Sequence, residues 1–451
     1  MSGYAEYREV NLPWLKAVPA HWEIRRNKNI FTEQKETVGE RSADYTLLSL
    51  TLNGIIPRDM DGGGKFPESF DKYKIVKNGD MAFCLFDIDE TPRTVGLSGY
   101  NGMLTGAYTI MRVSNINARF IYYYYLALDN GKMLRPLYTG LRKTININTF
   151  QSTKVPVPPR EEQDQIVRFL DWKVSSINKL INIKKKEIKA IDALKRSTVS
   201  HAITRGLTAD APMKYSGVKW LGDIPQRWYT VPLYAIAQVK SINNCIDLPL
   251  MSVYLDAGVV PFVEREEKRT NATSKDLTNY QRVDPGDFVL NNQQAWRGSV
   301  GVSFHSGIVS PAYIVLSLNN TLDSHYANYL FRSRCMVDQY LVISRGVGSI
   351  QRNLYWSALK RVVVPIPSKK EQMEIVEYLD GLNNKFDATI KKLTEEVAVL
   401  EEYKNKIIAD TVTGKIDVRG IEIPEYEFVD EDIDNADENP EQGADEPPEE
   451  E

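Results

Sequence analysis

Residues 155–171 read VPVPPREEQDQIVRFLD, and residues 364–380 read VPIPSKKEQMEIVEYLD. At an offset of 209 the two runs agree at nine of 17 positions: Val155/Val364, Pro156/Pro365, Pro158/Pro367, Glu162/Glu371, Gln163/Gln372, Ile166/Ile375, Val167/Val376, Leu170/Leu379 and Asp171/Asp380. Unrelated segments of average composition would agree at about one. The chain therefore uses one unit twice, and a repeat has to be recognised before any fold is inferred.

The repeat extends in both directions from this run. Trp14-Leu15, Pro19 and Trp22 recur as Trp220-Leu221, Pro225 and Trp228, and Gly79-Asp80 recurs as Gly286-Asp287. Gly96, Gly102, Ala107 and Tyr108 recur as Gly301, Gly307, Ala312 and Tyr313, and the segments close on Gly206 and Gly414. Offsets drift only between 205 and 209, so insertions are small. Between the anchors the copies differ freely. A shared scaffold carries two unlike variable surfaces.

Within each copy the pattern is α+β. Short β-rich runs (Met81–Phe86, Tyr108–Val113, Asp287–Asn291, Tyr313–Ser317) lie between glycine and asparagine turns. Phe120–Asp129 and His325–Ser333 read as short helices, and the tyrosines at 122 to 125 as packing for the first rather than a stacking platform for bases. The quoted runs open long helices. Pro158-Pro159 and Pro367 end the strands before them, Ser368 with Glu371 fits a capping box, and Glu161-Glu162 suit a helix N-terminus.

Apolar stripes then follow coiled-coil steps: Leu170, Val174, Ile177, Ile181, Ile188 and Ile191 in the first helix, with Lys184 interrupting. In the second they are Leu379, Leu382, Phe386, Ile390, Leu393, Val397, Leu400 and Ile407. Each helix runs about 45 residues, or about 70 Å. Equal lengths and matching stripes predict antiparallel pairing, although each stripe would also suit docking on its own globular domain. Pairing would put one globular copy at each end, related by a pseudo-twofold axis. Such a symmetry matches the twofold symmetry of duplex DNA backbones.

Charge points the same way. The 451-residue chain has a net charge of −4, but residues 417–451 hold 16 acids and one base, Arg419. The rest holds 55 bases and 44 acids, a net of +11, which suits a phosphate-binding surface. The acidic, proline-punctuated tail reads as disordered: a solubilising segment, a competitor for the basic body, or a dock for a partner's basic surface. No apolar run is long enough to span a membrane, and Met1 to Trp14 lacks a signal-peptide core. Cys84, Cys245 and Cys335 lack zinc spacing and suit a reducing cytoplasm, and four scattered histidines argue against a metal site.

Nothing in either copy carries a reactive constellation. An amino-methyltransferase needs a glycine-rich cofactor turn and an Asn/Asp-Pro-Pro-aromatic loop for the flipped base. The only Pro-Pro pairs, Pro158-Pro159 and Pro447-Pro448, lack that context. Gly62-Gly63-Gly64 reads as a flexible loop, and there is no Walker lysine motif. Glu33–Lys35 and Glu187–Lys189 are Glu-x-Lys triplets of a kind that arises by chance. The chain reads as a non-enzyme.

The doubled run V-P-x-P-x-x-x-E-Q-x-x-I-V-x-[FY]-L-D resembles the conserved regions of specificity subunits of type I restriction–modification systems. So do Trp14-Leu15 with Pro19 and Trp22, and the Gly-Asp strand followed by a Val-Gly turn and an Ala-Tyr strand. The resemblance covers about 1–416 and implies a first target-recognition domain at 1–155 and a central conserved helix at 156–208. A second recognition domain at 209–363 and a distal conserved helix at 364–416 would follow, with the acidic tail, 417–451, outside the pattern. By resemblance, each domain reads one half of a split double-stranded DNA target. The helices space the halves and dock two methyltransferase (modification) subunits. Those subunits would bring S-adenosylmethionine, and a motor–nuclease (restriction) subunit would bring ATP and Mg chemistry for defence against phage. No cofactor would belong to this chain. A cryptic nuclease or methyltransferase site, or a coiled-coil adaptor that binds only protein, remain the alternatives.

DNA-reading residues are sought in the polar variable loops, where donors reach base edges and cations reach phosphates. In the first copy these are Lys65, Lys72, Lys74, Arg93, Arg142 and Lys143. In the second they are Arg269, Lys275, Asn292, Gln293, Gln294 and Arg297, joined by Arg345, Gln351 and Arg352. Asn291–Gln294 directly follows a strand, and amides suit bidentate contact with adenine.

Overall fold

The repeated Gly-Asp pair shows how each sheet begins its central strand. Gly79 and Gly286 take φ of +89° and +92°, which a side chain would oppose. The aspartate that follows closes the turn on itself. Asp80 Oδ2 accepts the Lys77 N–H at 3.0 Å, and Asp287 Oδ2 accepts the Asp284 N–H at 2.8 Å. Each carboxylate also meets a cation, Arg112 of the neighbouring strand for Asp80 and Lys240, just past strand Ala237–Val239, for Asp287.

A computed structural model of the chain describes residues 2–58, 67, 69–138, 140, 143–262, 276–347 and 351–431. It forms two compact units, one of Met1–Lys186 with Leu393–Glu451, the other of Glu187–Lys392. The first contains a four-stranded antiparallel sheet in the order Phe31–Gln34, Thr109–Val113, Asp80–Phe83, Val95–Leu97. The second repeats it as Ala237–Val239, Tyr313–Leu318, Phe288–Asn291, Val300–Val302. A helix follows the sheet in each, Ala118–Asn130 and Ser324–Arg332. Both start slightly earlier than their apolar residues suggest, because Asn117 and Asp323 cap them by accepting two backbone N–H groups each. Tyr123, Tyr124 and Tyr125 are buried in the core and stack on no solvent-facing surface.

The two long helices span Arg160–Arg205 and Lys369–Val412. The second has its capping box, with Ser368 Oγ and Glu371 Oε2 2.9 Å apart and the Glu371 N–H reaching back to Ser368 Oγ. Each helix gives one part to the first unit and the rest to the second. In the first unit Lys404 meets Asn178 and Lys184 meets Glu396 at 2.9 Å. Partner numbers fall along one helix as they rise along the other, so the helices run antiparallel. In the second unit Lys195 pairs with Asp387 at 2.5 Å.

The stripes serve two masters. Ile166, Leu170, Ile177 and Ile181 share one buried cluster with the first globular core and with Val397, Ile407 and Ile408 of the returning helix. In the second unit Ile375 and Leu379 enter the globular core, while Ile188, Ile191, Phe386 and Ile390 are only half-buried. The expected disorder of the acidic tail does not hold for 417–431. Gln165, Ser175, Asn178 and Asn182 of the first long helix donate to the carbonyls of Val418 and Ile421, Glu427, Val429 and Asp430. Composition predicted a solvated chain, but a ladder of neutral side chains on the helix satisfies this backbone. Among the described residues no helix is long and apolar enough to cross a membrane.

Candidate nucleic-acid interface

The residues of the doubled motif hold the globular domains to the helices. In the first unit Glu162, buried, accepts from Trp22 Nε1 at 2.8 Å, from Tyr4 at 2.5 Å and pairs with His21 at 2.7 Å. In the second, Glu371 accepts from Trp228 Nε1 at 2.9 Å and pairs with Arg227 at 2.8 Å. Gln163 and Gln372 clasp the short helices. Their Oε1 atoms accept the N–H of Asn117 and Asp323, the cap residues, at 2.8 and 2.7 Å. Asp171 and Asp380 take the hydroxyls of Tyr123 and Tyr329. These residues recur because they make the same junction twice.

Of the loop residues chosen from sequence, Lys65, Arg142, Arg269 and Lys275 lie outside the described residues. In the first unit the others are engaged by the protein. The Arg93 guanidinium meets Asp129 at 3.2 Å and Asn130 at 2.7 Å, and little of it reaches solvent. Lys74 donates to the Tyr108 carbonyl at 2.7 Å, and burial lowers its pKa. Lys143 is held by Glu90 at 2.5 Å, a bond that raises its pKa, with Asp89 at 3.4 Å. Lys72 is exposed in the turn before strand Lys74–Val76.

In the second unit the loop after Phe288–Asn291 is more open. Gln293 and Arg297 are exposed, Gln294 is half-buried, and the Arg297 guanidinium lies over the Trp296 ring at 4.6 Å. Arg345 is exposed on a hairpin, Arg345–Val347 with Gln351–Asn353, whose second strand also carries Gln351 and Arg352. Arg352 is half-buried, with its guanidinium 3.5 Å from the Leu341 carbonyl. The hairpin is tied to the loop because the Leu354 N–H donates to the Asn292 carbonyl at 2.9 Å.

Where Asn292 and Leu354 meet, a cleft of about 370 Å³ opens, lined also from segments 239–243, 279–281 and 311–315. Its polar lining is Ser241, Asn243, Asn279, Gln281 and Asn292, and its aromatic walls are Tyr313, Tyr355 and Trp356. Among the described residues no lysine, arginine or acid lines it. Asn292 lines it, and its Oδ1 is buried with no hydrogen-bond partner among the described residues. Such an acceptor costs about 1–3 kcal/mol relative to a matched one. Sequence reasoning found Asn292 but missed the rest. They come from four separate segments, and only the Asn243-Asn244 pair hinted at them.

A family model described as the type I restriction modification DNA specificity domain matches residues 68–191 and 225–399. The chain belongs to the DNA specificity subunits of type I restriction–modification systems. Two relatives from Methanocaldococcus jannaschii agree along nearly the whole length. One is a putative type I restriction enzyme MjaX specificity subunit, 25% identical over 89% of this chain and 95% of that protein. The other is the type I restriction enzyme MjaVIII specificity subunit, 23% identical over 92% and 98%. A solved structure from work on complex assembly and conformational transition of the type I R-M system shares the fold. Its TM-score is 0.59 at 14% identity, covering 88% of this chain and 99% of that one. As a specificity subunit, the chain recognises DNA and is not itself a catalyst. Its two matched regions fall one in each copy of the repeat.

Proposed function

We propose that the two units read the two halves of a split duplex target, and that the long helices set the spacing and seat two methyltransferase subunits. The recognition domains are 1–155 and 209–363, with the conserved helices at 156–208 and 364–416. One observation carries this. The domain–helix junction is the same in both units, down to Trp22–Glu162 and Trp228–Glu371, while the polar loops differ. Matching junctions suit two copies of one partner, and unlike loops suit two unlike half-sites.

The chain brings no cofactor of its own. S-adenosylmethionine enters with the methyltransferase, and ATP and Mg with the motor–nuclease subunit. Exposed apolar side chains on the helices, Leu180, Ile183 and Val399 in the first unit and Leu194 and Met373 in the second, supply apolar surface for a helical partner. The three unpaired cysteines are at home in the cytoplasm.

Gln293→Ala and Arg297→Ala test the reading. Each should alter methylation at one half of the target and leave the other half and the spacer unchanged, as mapped across the host genome. An unaltered map in both variants would remove the loop from the interface. In the first unit Lys72→Ala should weaken binding evenly across sequences and flatten its salt dependence, as a phosphate contact does.

A further inference from the structure

The cleft of the second unit has a chemistry of its own. A phosphate would be met by cations, and among the described residues the lining has none. It is neutral, rich in amides and walled by aromatic rings, which suits the edge and face of a nucleobase. Its acceptors are the distinctive part. Asn292 Oδ1 is buried and unmatched. The Gln281 amide N–H₂ is committed to the Tyr313 carbonyl at 2.7 Å and the Pro311 carbonyl at 3.3 Å, which leaves that side chain an acceptor to offer as well. Two acceptors call for a donor. Among major-groove edges only adenine N6 and cytosine N4 are amino donors, whereas guanine and thymine present oxygen there.

We infer that this cleft receives the exocyclic amino group of one adenine or cytosine of the second half-site, with Asn292 Oδ1 as its acceptor. The inference rests on the second unit being a reader of DNA. Asn292 is then a specificity-determining residue: it rejects guanine and thymine at that position by setting oxygen against oxygen. Gln281 is held beside it by the Tyr313 strand.

The test uses the complex purified with its methyltransferase, and the target mapped from host methylation. In synthetic duplexes each adenine of the second half-site is replaced in turn by purine, and each cytosine by 2-pyrimidinone, which removes only the amino group. The native complex should lose about 5- to 150-fold in affinity at one such position. In the Asn292→Ala complex the same replacement should change affinity less than about twofold, while replacements in the first half-site keep their effect. Asn292→Asp retains the acceptor and should retain the discrimination despite weaker binding overall. Thermal stability of Asn292→Ala should equal or exceed that of the native protein, because the lost atom has no partner, and a purely structural role would lower it. Full discrimination by Asn292→Ala at every position would overturn the assignment. Failure of the native complex to prefer its own target would instead overturn the DNA-reading assignment beneath it.

Discussion

Trp22 donates its indole N–H to the Glu162 carboxylate across 2.8 Å, with both side chains sealed from solvent. The bond fastens the start of the first long helix to the first globular domain. Trp228 and Glu371 repeat it, but the Glu371 side chain is 14% exposed against 5% for Glu162 and keeps Arg227 beside it. Trp22→Phe should therefore cost about 2 kcal/mol, since a buried carboxylate loses one of its donors. Trp228→Phe should cost about 1 kcal/mol, because water and Arg227 compensate. Hydrogen exchange over 160–170 and 369–379 would read each junction separately. Equal losses, or the reverse order, would count against this ranking.

The pairing of the long helices makes a second prediction. Lys184 and Glu396 stand 2.9 Å apart with both side chains partly solvated, so their attraction is modest, about 0.2–1 kcal/mol. Lys184→Glu alone and Glu396→Lys alone should each lower stability, and the double exchange should recover most of it. A double-mutant cycle measures the coupling directly. Raising salt should shrink it, as screening requires. A coupling indistinguishable from zero at low salt would mean that the buried seam, Ile181 and Val397, holds the helices there without help from this pair.

The architecture was legible because repetition is a property of the chain itself. The doubled run, the capping box at Ser368 and the stripes each left a mark at fixed spacing, and each is a local interaction. The candidate interface was legible only in part. Arg93, Lys74 and Lys143 read as free cations, but Asp129, the Tyr108 carbonyl and Glu90 capture them, and those partners lie between 34 and 53 residues away in the chain. The cleft was invisible for the same reason. Its amides sit on separate segments that only the fold brings together. The order of 417–431 escaped detection because its support is a row of neutral helix side chains, while its own acids suggested solvation.

That segment is sensitive to pH. The Glu431 side chain is only 15% exposed, and burial alone would raise its pKa. Hydrogen bonds from Lys185, at 2.8 Å, and Lys404 outweigh burial and hold the carboxyl below its ordinary value. A group whose folded pKa is lowered stabilises the fold above its unfolded value and loses that contribution as pH falls through the folded one. Glu431→Gln should therefore be less stable than the native protein near pH 7, by about 1 kcal/mol. The difference should fade below about pH 4.3, the ordinary glutamate value, and vanish under the lowered one. Urea unfolding of both proteins from pH 7 downward measures this. A gap that stays constant with pH would mean that Glu431 acts through packing and not through its charge.

Truncation separates the two parts of the tail. Cutting after Glu431 removes ten acids and no base, and leaves in place the bonds that residues 418–431 make to the first long helix. Thermal stability should be unchanged. Affinity for non-target DNA should rise about severalfold, and more at low salt, because a net negative segment no longer opposes a basic body. Cutting after Gly420 should behave differently. It strips Glu431 from Lys185 and Lys404 and leaves the amides of Asn178 and Asn182, now buried under the tail, to solvent. Stability should fall with it, by about 1–3 kcal/mol for the several bonds lost. Comparing the two truncations in thermal unfolding and in DNA binding at two salt concentrations distinguishes a structural strap from a charged extension. If both cuts left stability and binding alike, residues 421–431 would add nothing to the unit they lie against.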